Sequence, residues 1–164
     1  MDRLYSPWRL SYVTTASEPV AGCIFCNAAS ERTDPLVVAR GRAAFVILNL
    51  YPYNSGHLMV VPNRHVASLA ELSADERAEL MDLTALAEVA VNEVYRPQGL
   101  NIGVNLGKAA GAGIADHLHL HVVPRWTGDT NFMSVVGHVR VLPEEIHASA
   151  ERLRPVFERL AAAG

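Results

Sequence analysis

Lysine is almost missing from this chain: Lys108 is its single instance, the other basic residues are arginines, and the net charge is −3. No global basic field is present to gather nucleic acid, so any polyanionic ligand has to be held by local groups. Cysteine is also scarce, with only Cys23 and Cys26. Two cysteines with a two-residue gap between them, a C-x-x-C pair, make no disulfide framework. No apolar run approaches the roughly 20 residues of a membrane span. The first residues lack the apolar segment and small-residue cleavage site of a signal peptide. The expectation is a cytoplasmic protein that meets neither membrane nor nucleic acid. Its 164 residues suit one domain with a core of its own.

Punctuation along the chain divides that domain. Residues 1–22 read as a lightly structured arm whose Tyr5, Trp8 and Tyr12 are packing anchors. The apolar runs 36–39 and 43–48, split by Arg40-Gly41-Arg42, predict a hairpin. The turn-rich stretch 51–56 leads to a third strand over 57–62, ended by Pro62, which has no amide hydrogen for a ladder. Ser73 with Glu76 is a capping box that opens a long helix from Ala74 to Tyr95. Leu80, Leu83, Ala87, Val91 and Val94 share one face of it, and Pro97 and Gly99 stop it. Residues 100–105 alternate as a strand, 106–116 form a loop of small residues, and 117–123 form the last strand before Pro124. Residues 143–163 read as a C-terminal helix bent or split at Pro155. The order predicts an α+β fold, an antiparallel sheet with the long helix on one face.

The last strand, His117-Leu118-His119-Leu120-His121-Val122-Val123, carries three of the seven histidines at period two. Alternation puts His117, His119 and His121 on one face and Leu118, Leu120 and Val122 on the other. Buried imidazoles need partners. From the residues alone the three are a chance cluster on a solvated face, a set of metal ligands, or a group with divided labour. In the last case a nucleophilic middle imidazole is flanked by a structural one and a phosphate-binding one. Histidine suits phosphorus chemistry because much of it is unprotonated near neutrality, and a covalent intermediate splits one hard displacement in two. Cys23 and Cys26 have the spacing of two zinc ligands, or are two ordinary buried cysteines. His138 and His147 fall outside every motif and read as surface residues.

The histidine strand matches the pattern His-φ-His-φ-His-φ-φ of the histidine triad (HIT) family at every position. Asn49 followed by Tyr51-Pro52-Tyr53-Asn54-Ser55-Gly56-His57 resembles the first signature of that family, and Asn105-Leu106-Gly107 resembles the second. The stretch from Arg125 to Met133 is similar to the branch of diadenosine tetraphosphate phosphorylases and their bacterial relatives. The resemblance runs from about residue 4 to residue 142. It implies a five-stranded antiparallel sheet with helices, and a homodimer. It implies His119 as the nucleophile that takes up a nucleotidyl group, His121 at the α-phosphate or bridging oxygen, and His57 supporting them from a neighbouring strand. Asn49 is implied at the ribose and Asn105 near the α-phosphate. By resemblance to zinc-binding bacterial members, Cys23, Cys26, His65 and His117 would close a structural zinc site, with no organic cofactor. The loop 109–114 lacks the glutamine of the hydrolase and phosphoramidase branches and is one residue longer, which favours phosphate over water as second acceptor. Backbone amides of Gly111, Ala112, Gly113 and Ile114 could cradle phosphate. Lys108 either reaches a distal phosphate or is a solvated loop residue. The expected activity is cleavage of a dinucleoside polyphosphate such as an adenine dinucleotide. An adenosine phosphoramidase and a nucleotide-binding regulatory module are the alternatives.

Overall fold

The computed structural model describes residues 22–129 and 144–163. The expected arm up to residue 21, signature residues 130–133, His138 and Pro143 lie outside the described residues. The elements in chain order are α1 (Ile24–Ser30), β1 (Val37–Arg40), β2 (Ala44–Leu48), β3 (Leu58–Pro62), α2 (Ala74–Tyr95), β4 (Gly99–Val104), β5 (Leu120–Arg125) and α3 (Ile146–Ala163). Short 3-10 turns cover Leu69–Glu71 and Lys108–Ala110. The strands form one antiparallel sheet in the order β1-β2-β3-β5-β4. Among the described residues no helix is long and apolar enough to cross a membrane.

Central strands β2 and β3 are buried at every position because both faces of the sheet are covered. Alternation divides their side chains between two cores. Val46, Leu48, Leu58 and Val60 join Leu118, Leu120 and Val122 beneath Leu80, Leu83, Ala87 and Val91 of α2 and Leu153 and Phe157 of α3. Phe45, Ile47, Met59 and Val61 point the other way and pack with Phe25 and Ala28 of α1. The triad histidines belong to this second face.

Helix α2 has the expected bounds and the capping box is complete, with Glu76 N–H donating to Ser73 Oγ and Ser73 N–H to Glu76 Oε2. It stops at Arg96, a non-glycine residue with φ of 47°, followed at once by Pro97. The first hairpin turns through Gly41, whose N–H donates to Ala44 O, and Glu79 of α2 accepts from Ala43 N–H.

Three expectations change. Helix α1 has no counterpart in the sequence reading: it is seven residues long, its N-cap is Cys23, and no side chain caps it. Such a helix is too short to form by propensity and is held by burial of Phe25 and Ala28. The C-terminal helix is not split, for α3 runs through Pro155. The last strand begins at Leu120 and runs through Pro124 to Arg125 rather than ending before Pro124, so His117 and His119 precede the ladder. The register pairs Val60 with Leu120, which sets Pro62 near Leu118. Pro62 has no N–H to extend the pairing. Its carbonyl instead accepts from His117 Nε2, and Leu118 N–H donates to Val66 O. The alternation of histidine and apolar side chains survives this change in hydrogen bonding.

Loss of the capping oxygen in Ser73→Ala should cost about 1 kcal/mol, and Leu80→Ala about 2–5 kcal/mol, because Leu80 is fully buried between α2 and the sheet. Urea midpoints at unchanged slope check both values.

Candidate active site

Register places the histidines. Met59 of β3 pairs with His121 of β5, so His57, two residues before Met59, is on the same face and diagonal to His121. His57, His117 and His119 are buried and His121 is half-buried. The rings of His57 and His121 lie 5.1 Å apart, and those of His119 and His121 5.0 Å apart and nearly perpendicular.

Hydrogen bonds assign the ring protons. A carbonyl oxygen only accepts, so His119 Nδ1, 2.8 Å from His117 O, carries the hydrogen. In the neutral ring that leaves the lone pair on Nε2. His57 Nδ1 accepts from Tyr53 N–H at 3.0 Å, with the Asn49 amide nitrogen 3.4 Å away as a further donor. The hydrogen of His57 is therefore on Nε2, and it is donated over 2.9 Å to His121 Nδ1. His121 in turn bears its hydrogen on Nε2. One neighbouring ring thus presents a bare nitrogen and the other an N–H donor. Burial, with a smaller contribution from the neighbouring His119, brings His121 down from its ordinary 6.5 to about 4, so the ring is neutral near neutral pH.

Four further side chains converge behind His119. Cys23, the N-cap of α1, Cys26 in its first turn, His65 after β3 and His117 present ligand atoms all within 4.8 Å of one another. Cys23 Sγ and Cys26 Sγ lie 3.3 and 3.6 Å from His117 Nδ1, and Cys26 Sγ lies 3.3 Å from His65 Nδ1. Sulfur and nitrogen ligands of one tetrahedral zinc stand about 3.5 Å apart, given bonds of about 2.3 and 2.0 Å. The bond from His117 Nε2–H to Pro62 O leaves Nδ1 as the ligating nitrogen. The set fits a divalent, thiophilic ion. Burial lowers His117 below its usual value, and burial with the adjacent Cys23 pushes the Cys26 thiol up.

The remaining expected residues are placed as follows. Asn49 follows β2 beside His57; its side-chain oxygen accepts from Tyr51 N–H and its backbone N–H donates to His57 O. Asn105 flanks the small-residue loop, its amide nitrogen 3.9 Å from where a Cβ on Gly111 would stand. Lys108 is exposed and, among the described residues, in no ion pair. Gly111 and Ala112 N–H groups are taken up by Lys108 O and Gly107 O, whereas those of Gly113 and Ile114 have no partner among the described residues. Ile114 packs against the Phe25 and Met59 core, on the histidine side of the sheet. His147 is exposed, as expected.

Two neighbours escape sequence reasoning. Phe25, inside the C-x-x-C pair, sets its ring 5.4 Å from His117 and 5.1 Å from His119. Tyr53 stacks on His57 at 5.0 Å and 19°. A single aromatic between two cysteines carries no signal of what it touches, and only the fold reveals it.

The fold and this face together define an α+β domain with a histidine cluster beside a thiol–imidazole cluster. The HIT domain model matches residues 31–128, and the chain belongs to that family. It is 44% identical to the AP-4-A phosphorylase of Mycobacterium tuberculosis over 97% of this chain and 86% of that protein. It is 28% identical to the bis(5'-adenosyl)-triphosphatase of Dictyostelium discoideum over 70% of this chain and 80% of that one. Among solved structures, a Zn-bound histidine triad family protein from Mycobacterium smegmatis superposes with a TM-score of 0.70 at 28% identity, covering 87% of this chain and 98% of that one.

The lowered His121 gives a pH prediction. Between pH 6.5 and about 4 the unfolded chain binds a proton at this ring and the folded chain resists it, so stability should fall as the pH drops through that window. Urea midpoints across the window should decline less steeply in His121→Asn, which has no such group; equal slopes would remove His121 as the source.

Proposed function

We propose that the protein is a nucleotidyl-transferring enzyme that cleaves dinucleoside polyphosphates through a covalent nucleotidyl-histidine, with phosphate as the second acceptor. The observation that carries this reading is the opposed protonation of His119 and His121 on adjacent rings. His119 Nε2 has the lone pair for in-line attack on the α-phosphorus. The bond to the bridging oxygen breaks, and the leaving nucleotide departs with its new charge facing His121 Nε2–H. In the intermediate the His119 ring is cationic, and its Nδ1–H remains on His117 O, where a carbonyl dipole stabilises that charge. Phosphate then attacks the same phosphorus, the P–N bond breaks, and the lone pair returns to Nε2. With diadenosine tetraphosphate the sum is ADP and ATP, since the first half releases ATP and the second adds phosphate to the adenylyl group.

The names of the 44% and 28% identical relatives support this substrate class. Phosphate oxygens would meet the open amides of Gly113 and Ile114, with Asn105 alongside and Lys108 within the same loop, while Asn49 would hold the ribose. Zinc is the ion we assign to Cys23, Cys26, His65 and His117; when bound it supplies a structural cross-link between α1, the end of β3 and the approach to β5. The homodimer is assigned to β4, an edge strand with Asn101, Ile102 and Gly103 exposed.

Product analysis tests the reading. Diadenosine tetraphosphate should be consumed only with added phosphate, giving ADP and ATP, and His119→Ala should lower turnover by more than about 1,000-fold. AMP and ATP formed at a rate indifferent to phosphate would make it a hydrolase, and full activity in His119→Ala would refute the nucleophile. Purified protein should hold about one zinc per chain, following a four-ligand site, and Cys23→Ser with Cys26→Ser should hold none by elemental analysis.

A further inference from the structure

The relay from Tyr53 to His121 begins in the loop between β2 and β3. Two donors face His57 Nδ1, the Tyr53 N–H at 3.0 Å and the Asn49 amide nitrogen at 3.4 Å, and the shorter contact comes from a loop that lies outside the sheet ladders. Within the loop, Tyr53 stacks on His57 and Asn49 Oδ1 accepts from Tyr51 N–H, whereas the buried Oγ of Ser55 has no hydrogen-bond partner among the described residues. Asn54 ties this loop to the sheet. Its backbone carbonyl accepts from His57 N–H at 3.1 Å, so it is coupled directly to the ring's own residue. Its side-chain amide reaches across to the far end of β5, donating to Pro124 O at 2.8 Å and to Asp129 Oδ2 at 2.9 Å.

Asp129 is built as a fixed acceptor. Arg125 grips it through Nε at 2.6 Å and Nη2 at 2.9 Å, and Trp126 N–H adds a contact to Oδ2 at 3.2 Å. Arg125 is itself tied to β4 through Asn101 Oδ1. These donors, the Arg125 guanidinium foremost, hold the Asp129 carboxyl far below the usual carboxylate range. The acceptor is thus a permanent anion locked to the sheet.

We propose that Asn54 and Asp129 are positioning residues whose hydrogen bond locks the loop over His57 and thereby decides which nitrogen of His121 carries the proton. Neither touches the reacting atoms under the proposed mechanism. With the bond intact, Tyr53 N–H stays on His57 Nδ1, and His121 presents Nε2–H to the leaving oxygen. When the bond is lost, Tyr53 N–H drifts from His57, the Nδ1–H form of His57 becomes accessible, and the donor to His121 Nδ1 is no longer assured. The proton order then scrambles while the fold persists, because the sheet register and both cores lie elsewhere. This inference rests on the proposed function only for its catalytic consequence; the tautomer statement stands without it.

The test is a long-range proton–nitrogen NMR correlation on the zinc-loaded protein labelled at histidine. The variants are Asn54→Ala, Asp129→Asn (close to isosteric, without the charge) and the double variant. In the parent protein His57 and His121 should both be Nε2–H tautomers and His119 the Nδ1–H tautomer. In each folded variant His57 and His121 should become tautomer mixtures while His119 is unchanged. On diadenosine tetraphosphate with phosphate, kcat should fall about tenfold or more, toward the roughly 100-fold of a lost acid–base contribution, with KM changed less than about threefold. The double variant should lose no more than the worse single one, as expected of two partners in one contact. Unchanged tautomers in folded Asn54→Ala would overturn the proposal whatever the activity. A parent protein inactive on this substrate, with tautomers that shift as stated, would overturn the substrate class and leave the positioning role standing. Should one single variant fail to fold, the other decides by the same readout.

Discussion

A peptide carbonyl accepts hydrogen bonds and cannot give one, and a backbone amide gives one and cannot accept. Applied at His117 O and Tyr53 N–H, that asymmetry assigns the protons of three of the clustered rings. His119 is left with its lone pair on Nε2 and His121 with a hydrogen there, although the two are two residues apart on the same face. No charged partner is needed to create this difference. Burial keeps His121 from taking a second proton near neutrality, so its hydrogen is available to donate without the ring's becoming a cation.

The thiol–imidazole cluster serves the same end from behind. His117 contributes its ring to that cluster and its carbonyl to His119. Phe25, on the helix that Cys23 and Cys26 open, lies against the rings of both histidines. An ion bound to the four ligands would therefore fix the peptide that holds the proposed nucleophile's tautomer, without entering the reaction. Seven residues of helix with no side-chain cap have little stability of their own, and the cluster brings them to the end of β3 and the approach to β5.

How much of this was legible in the sequence follows from how local each signal is. The capping box, the Gly41 hairpin and the stop at Pro97 are read within a few residues, and α2 has the expected bounds. Period two along the histidine strand gave the shared face of His117, His119 and His121, and with it the division between core and site. The start of β5 was missed because it is set by Pro62 on a neighbouring strand. Helix α1 was missed because only tertiary burial of Phe25 and Ala28 sustains it. The partners of the histidines were out of reach for the same reason. Nothing within residues 51–57 says that Tyr53 N–H meets His57 Nδ1, or that Asn54 reaches Asp129, 75 positions away. The convergence of Cys23, Cys26, His65 and His117 was expected from family resemblance and not from spacing alone, and the geometry brings all four together.

The central claim is that His119 Nε2 becomes covalently nucleotidylated. Mixing the protein with diadenosine tetraphosphate in the absence of phosphate, quenching in base to preserve the P–N bond, and mapping peptides by mass spectrometry addresses it directly. The account predicts an adenylyl group on the peptide bearing His119, discharged as ADP when phosphate is added before the quench. An adduct on another residue, or full turnover with no adduct at any time point, would contradict it.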